Sequence, residues 1–247
     1  MKLCGYVLCA GIVSLIVLSS GIGYSMGLGT GLKKAGLTEA QITRVGEKLD
    51  PQFNPAKSYP IVAVLTAVDQ SGVARGPGMN AANVKRKLMQ ALGVSPVFAV
   101  VQKDAQLLKA LVGLGFRLDE RPAGGWDAVE TAINFHDNRM LNFVFDLGAK
   151  PYTLVWMEDN GRKIRPRNYL CVAIDNAFHP MVLKADSTAV TRSANPPDFS
   201  IVETLLKRGV DPDKHDCRDG KSPRETAEAS GDQALIELFD RFPPKTP

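Results

Sequence analysis

The side chains that could do chemistry are few and dispersed. His136, His179 and His215 fall one to a segment, and beyond the apolar N-terminal stretch only Cys171 and Cys217 carry thiols. A zinc site needs Cys or His donors at close, paired spacings, and none of these residues has them, so no metal is expected. The chain has no GxSxG nucleophile elbow, no HExxH helix and no P-loop. Gly27, Gly29 and Gly31 alternate, but without the flanking strand and helix that a phosphate-binding loop requires. Glu225, Glu228 and Asp232 fall at solvent-side helical positions, where a carboxylate lacks the burial that acid-base catalysis needs. The expectation is a protein that is not an enzyme and holds no cofactor.

Recognition chemistry is concentrated in one aromatic and basic stretch. Thr153 to Glu158 is strand-like, Asn160-Gly161 is a strong hairpin-turn signal, and Arg162 to Arg165 returns. A two-residue turn sets Asp159 opposite Arg162, Glu158 opposite Lys163, Met157 opposite Ile164 and Trp156 opposite Arg165. Two of these pairs are complementary in charge and one has the makings of a cation-π contact. Tyr152 and Trp156 with Arg162, Lys163, Arg165 and Arg167 have the aromatic-plus-arginine composition of interface hot spots. The same residues also fit a self-packed hairpin with a solvated basic edge. Trp126, some 30 residues earlier, either extends that surface or caps a neighbouring element.

The chain that must position these residues has 247 residues, 45% of them hydrophobic, enough for a sizeable core. Its charge of +4, with 23% charged residues, argues neither for a dedicated nucleic-acid binder nor for disorder. Met1 and Lys2 precede an apolar run from Leu3 to Leu18, and Gly23 and Ser25 are spaced like a cleavage site. Residues 1–25 therefore read as a secretory signal peptide cut after Ser25. If the cut fails, residues 3–22 are long enough to tether the protein to a membrane. Cys9 follows Tyr6, Val7 and Leu8, without the small residues that precede a lipidated cysteine. Either way the bulk of the chain is exported.

Residues 26–58 read as a linker plus one helix. Gly21 to Gly31 alternates glycine like a flexible connection. Thr38 then starts a helix to about Leu49, with Gln41 placed to close a capping box and Ile42, Val45 and Leu49 on one face. Tyr59 to Gly93 holds two further helical stretches around a glycine-rich insertion, Asp69 to Met79.

From residue 94 a pattern recurs. Near the C-terminus, Ser222-Pro223 opens a helix carrying Ala227, Gly231-Asp232 breaks it, and Leu235, Ile236, Leu238 and Phe239 form a second apolar stripe. Ser95 to Gly115 repeats this. So does Asp127 to Gly148, with sixteen residues from Ala132 to Gly148, and Tyr169 to Gly209 follows with about 20 residues inserted from Asp175 to Asp198.

These copies resemble the ankyrin repeat, a helix pair of about 33 residues. The resemblance covers residues 94–242, with 59–93 as a divergent capping copy and 243–247 as a tail. It implies an all-α solenoid of four to five helix pairs with β-hairpin fingers, preceded by the signal peptide or anchor. The histidine of the family's TPLH motif is replaced by Phe98, Glu130, Cys171 and Glu225, which departs from the pattern. In the family, fingers and first helices line a concave partner surface, so the resemblance implies protein binding and no small-molecule substrate; the basic finger also invites nucleic acid, but export and the modest net charge count against it. It also brings Cys171 and Cys217 into adjoining elements, where a disulfide is one alternative and free thiols the other. Arg224, Glu225, Glu228, Asp232, Glu237, Asp240 and Arg241 are expected as the polar exterior of a terminal repeat. By analogy with exported bacterial members, the expected role is a periplasmic immunity protein that neutralises a toxin such as a secreted lipase. The alternative is a membrane-anchored envelope stress or assembly scaffold with no toxin partner.

Overall fold

The computed structural model describes residues 27–57, 59–73, 80–121, 125–151, 154–155, 158–159, 162–163, 167–178, 181–183, 190–192, 197–217 and 220–243. The strand residues are described by backbone alone, Asn168 excepted. The described chain is helical apart from short two-stranded pairings. Its described residues divide into two compact units, 27–120 and 121–243.

In the first unit six described helices follow one another: α1 (Leu28–Lys34), α2 (Glu39–Leu49), α3 (Ile61–Gln70), α4 (Ala81–Ala91), α5 (Pro96–Val101) and α6 (Ala105–Gly113). Helix α1 corrects an expectation, because it begins inside the stretch whose alternating glycines read as a linker. Those glycines serve close approach rather than flexibility. A Cβ on Gly29 would lie 2.6 Å from Pro55 Cβ, and one on Gly31 would lie 2.7 Å from Leu92 Cδ2. Leu28 and Leu32, on the same helix, are fully buried. Helix α2 starts as its sequence predicts, Gln41 N–H donating to Thr38 Oγ1 and Thr38 N–H to Gln41 Oε1 at 2.8 Å. Phe53 lies over Gly46 and stacks on Tyr59, ring centroids 5.6 Å apart. Helix α2 packs on α3, α1 on α4, and α3 on α6.

The second unit holds α7 (Ala128–Asn134), α8 (Asn138–Asp146), β1 (Leu154–Val155), β2 (Glu158–Asp159), β3 (Arg162–Lys163), β4 (Arg167–Asn168), α9 (Tyr169–Phe178), β5 (Met181–Leu183), β6 (Val190–Arg192), α10 (Ser200–Lys207), α11 (Pro223–Ser230) and α12 (Gln233–Asp240). Here like stacks on like. Helix α9 packs against both α7 and α11, while α10 packs against α8. Polar side chains form rungs between successive pairs: Asn176 donates to Asn134 at 2.6 Å, Thr204 to Asn138 at 2.7 Å, and Arg208 to Asn142 and Asp146 at 3.1 and 2.8 Å.

One hydrogen-bond grammar repeats through four helix pairs, one in the first unit and three in the second. Ser95, Asp127, Asn168 and Ser222 each accept from the backbone N–H three residues on, at Phe98, Glu130, Cys171 and Glu225. Asp104, Asp137 and Asp232 cap second helices in the same way. Each follows a residue in the left-handed region: Lys103 at φ 54, His136 at φ 51 and Gly231 at φ 71. Second helices end at Gly115, Gly148 and Gly209, all at positive φ, and the next N–H reaches back five residues, as from Ala149 to Val144 O at 3.2 Å. These closures are Schellman motifs, and only glycine adopts the required backbone without strain.

The connection into α9 is a pair of ladders. Strand β2 pairs antiparallel with β3, Glu158 opposite Lys163 and Asp159 opposite Arg162, as the Asn160-Gly161 turn predicts. Strand β1 pairs with β4, Leu154 opposite Asn168 and Val155 opposite Arg167. Three steps separate Val155 from Glu158 but four separate Lys163 from Arg167, so the two ladders are one residue out of register. Helix α9 runs to Phe178, three residues beyond the expected start of the insertion at Asp175. The insertion carries the antiparallel pair β5 and β6, and the Phe178 and Phe199 rings meet edge to face across its base at 5.7 Å.

Arg224 is a second correction, since its side chain is only 16% exposed rather than part of a polar exterior. It donates to Asp213 Oδ1 at 2.6 Å, Phe239 O at 3.0 Å and Phe242 O at 2.6 Å, and its guanidinium lies over the Phe239 ring. The stem covers apolar surface while the fork holds the end of α12. Among the described residues no helix is long and apolar enough to cross a membrane. The leader and the Ser25 cleavage position lie outside them.

Candidate functional site

Helix α9 is the element around which the candidate site is built. Its ten residues, about 15 Å of helix, carry an antiparallel strand pairing at each end. Strand β4 runs straight into it, and β5 starts three residues after it ends. The N-terminus of α9 is fixed by Asn168, whose Oδ1 accepts from Cys171 N–H at 2.9 Å. Asn168 is fully buried, and its Nδ2 makes no hydrogen bond.

A disulfide joins Cys171, on the first turn of α9, to Cys217, in the loop before α11, with the α-carbons 5.5 Å apart. Of the two alternatives the sequence left open, the structure contains the bonded one. It stands where the sequence pattern places the missing histidine, and it ties one helix pair to the next.

Glu130, at the same position of the preceding pair, is also tied to a neighbour, in a cluster that sequence reasoning missed. Arg121 donates to Asp127 Oδ2 at 3.0 Å and to Glu130 Oε2 at 2.8 Å, and Tyr169 donates its hydroxyl to Asp127 Oδ2 at 2.8 Å. Asp127 is fully buried and Glu130 nearly so, whereas Arg121 keeps 28% of its side chain exposed. Burial works against the Arg121 charge, but Glu130 and then Asp127 raise its pKa above the ordinary arginine value. The cluster binds its own members and closes the entry to α7. Its members lie 6, 9 and 42 residues apart, so no helical or strand period signals it.

At the other end of α7, His136 Nε2 lies 2.9 Å from Asp198 Oδ2 at the close of the insertion. Asp198 Oδ1 accepts from Ser200 N–H at 2.9 Å. Burial pushes the Asp198 pKa up, but the hydrogen bond from Ser200 and the adjacent His136 imidazole outweigh it and leave the carboxyl below its ordinary value.

The expected recognition residues are placed as follows. Trp126 is half-buried and meets Phe135 edge to face at 6.2 Å, so it belongs to the cover of α7 as much as to any surface. Arg162 and Lys163 form β3, and Arg167 is in β4. Tyr152, Trp156 and Arg165 lie outside the described residues, as does the pairing of Trp156 with Arg165 and of Met157 with Ile164. Every residue of α7 is buried, so this first helix offers no open face to a partner. No family model matches the chain, and no curated protein matches it.

Proposed function

We propose that the chain is an exported repeat protein of the ankyrin type that binds another protein through the enlarged hairpin between residues 149 and 169. The carrying observation is the regular cap-and-turn grammar of four helix pairs, interrupted at α9 by an antiparallel strand pairing at each end. A regular stack supplies rigidity, and departures from it supply individuality. The aromatic and basic composition of residues 152–167 suits a hot spot facing an acidic or amphipathic patch. Trp126 is assigned to the margin of that surface. With every residue of α7 buried, the hairpin and the exposed residues of the other first helices, rather than α7, make the contact surface.

The Cys171–Cys217 disulfide supports an oxidising compartment, in agreement with the leader-like first 25 residues, and we assign the mature protein to the periplasm. The proposed partner is a toxin acting there, such as a lipid-degrading hydrolase, with this chain as its immunity protein and with no catalysis of its own. The test is affinity capture from the periplasm with the mature chain, followed by assay of the captured protein's activity with and without added chain. A captured hydrolase that stoichiometric chain silences is the expected result. Capture of envelope assembly components without any inhibited activity would favour the scaffold alternative.

A further inference from the structure

Cys171 and Cys217 are 3% and 6% exposed. Tyr169, Leu170, Val172 and Ala173 surround the first cysteine in the chain and are themselves buried. The loop at the second is closed by Cys217 N–H to Lys221 O at 2.9 Å and Gly220 N–H to Cys217 O at 3.0 Å. The 46-residue span between the cysteines contains α10, the β5–β6 pair and nearly all of α9. Thiol-disulfide exchange requires an outside thiolate to reach a sulfur atom, and the folded arrangement leaves little of either cysteine open to one.

We propose that this bond is made on the open chain by exchange with an external disulfide, before α9 and α11 come together, and is then sealed by their packing. One cysteine thiolate attacks the external disulfide, forming a mixed disulfide and releasing one thiolate. The second cysteine thiolate attacks the protein sulfur of that mixed disulfide, closing Cys171–Cys217 and releasing the other thiolate. Two protons leave the protein thiols and two electrons pass to the external disulfide, which ends as two thiols. The reaction class that must act on this chain before it is functional is therefore dithiol oxidation of an unfolded substrate. The bond is a structural lock and not a switch, and this does not depend on the identity of any partner.

The test follows reduction of the full oxidised chain by dithiothreitol, with released Cys171 and Cys217 trapped by iodoacetamide and counted by peptide mass. Without urea, reduction should be at least about 10³-fold slower than in the urea-unfolded chain, the ratio set by a typical folding equilibrium. It should accelerate with urea along the same slope as the unfolding of Arg121–Pro247. In the reverse direction, reduced chain in urea should form the bond with oxidised glutathione, and formation should stall once native conditions fold the reduced chain. Native reduction within about tenfold of the unfolded rate, or a rate flat in urea, would overturn the proposal. So would free thiols at both positions in protein recovered from an oxidising compartment.

Discussion

Replacing Cys171 and Cys217 together by alanine removes a cross-link spanning 46 residues. If the bond acts by restricting the unfolded chain, a loop of that length corresponds to about 13.5 cal/mol/K of lost entropy, or about 4 kcal/mol at 25 °C. Alanine avoids stranding a polar group at two buried positions. A domain of this size has a total stability on the order of 5–15 kcal/mol, so the loss is a large fraction of it. Urea unfolding followed by tryptophan emission measures it selectively, because the only tryptophans, Trp126 and Trp156, both belong to Arg121–Pro247. With a slope of about 2 kcal/mol/M, the midpoint should fall by about 2 M. The slope itself should rise, since the uncrosslinked chain exposes more surface when unfolded. A loss below about 1 kcal/mol with an unchanged slope would refute the loop-length reasoning.

Arg121→Ala removes the cation paired with the buried Asp127 and Glu130 carboxylates and should cost about 3 kcal/mol by the same assay, whereas Tyr169→Phe, which deletes one bond to Asp127, should cost about 1.5 kcal/mol. Equal effects would mean the cluster is not held by its cation. Gly29→Ala drives a methyl group against Pro55 and should lower the stability of the first unit, read by circular dichroism, by about 2 kcal/mol. Gly113→Ala meets nothing within 4 Å in α6 and should raise it by about 0.5 kcal/mol. Asp198→Asn keeps an acceptor for Ser200 N–H but removes the charge beside His136. Because the folded Asp198 pKa is lowered from 3.8, its contribution is complete above that ordinary value and vanishes as pH falls through the folded one. The variant should therefore be less stable than wild type near about pH 7, with the gap closing below about pH 4; a gap that persists at the lowest pH contradicts the pairing.

What was legible in the sequence was local. Thr38 with Gln41, Ser222 with Pro223 and the leucine and glycine positions of the second helices announce helix starts, faces and ends, because caps and periodicity are read within a few residues. The Asn160-Gly161 turn fixed the register of its two nearest pairs for the same reason. Illegible were features set by distant chain. Gly29 and Gly31 look like flexibility until Pro55 and Leu92 are brought against them. Arg224 looks like exterior until Phe239 and the carbonyl of Phe242 close over it. Tyr169 reads only as the start of a repeat copy, and its hydroxyl acquires meaning only when α9 stacks on α7 and presents Asp127, 42 residues away. Each requires knowing which elements stack, which no local period encodes.

The central claim is that the hairpin before α9 grips a protein partner. It is tested most directly by calorimetric titration of the captured partner with the mature chain and with two double variants. One is Trp156→Ala with Arg165→Ala in the hairpin. The other is Lys207→Ala with Arg241→Ala, exposed charges at the end of α10 and just after α12. The account predicts an affinity loss of about 100-fold or more for the hairpin variant and a change of less than about threefold for the control. Equal affinity for wild type and the hairpin variant would contradict it.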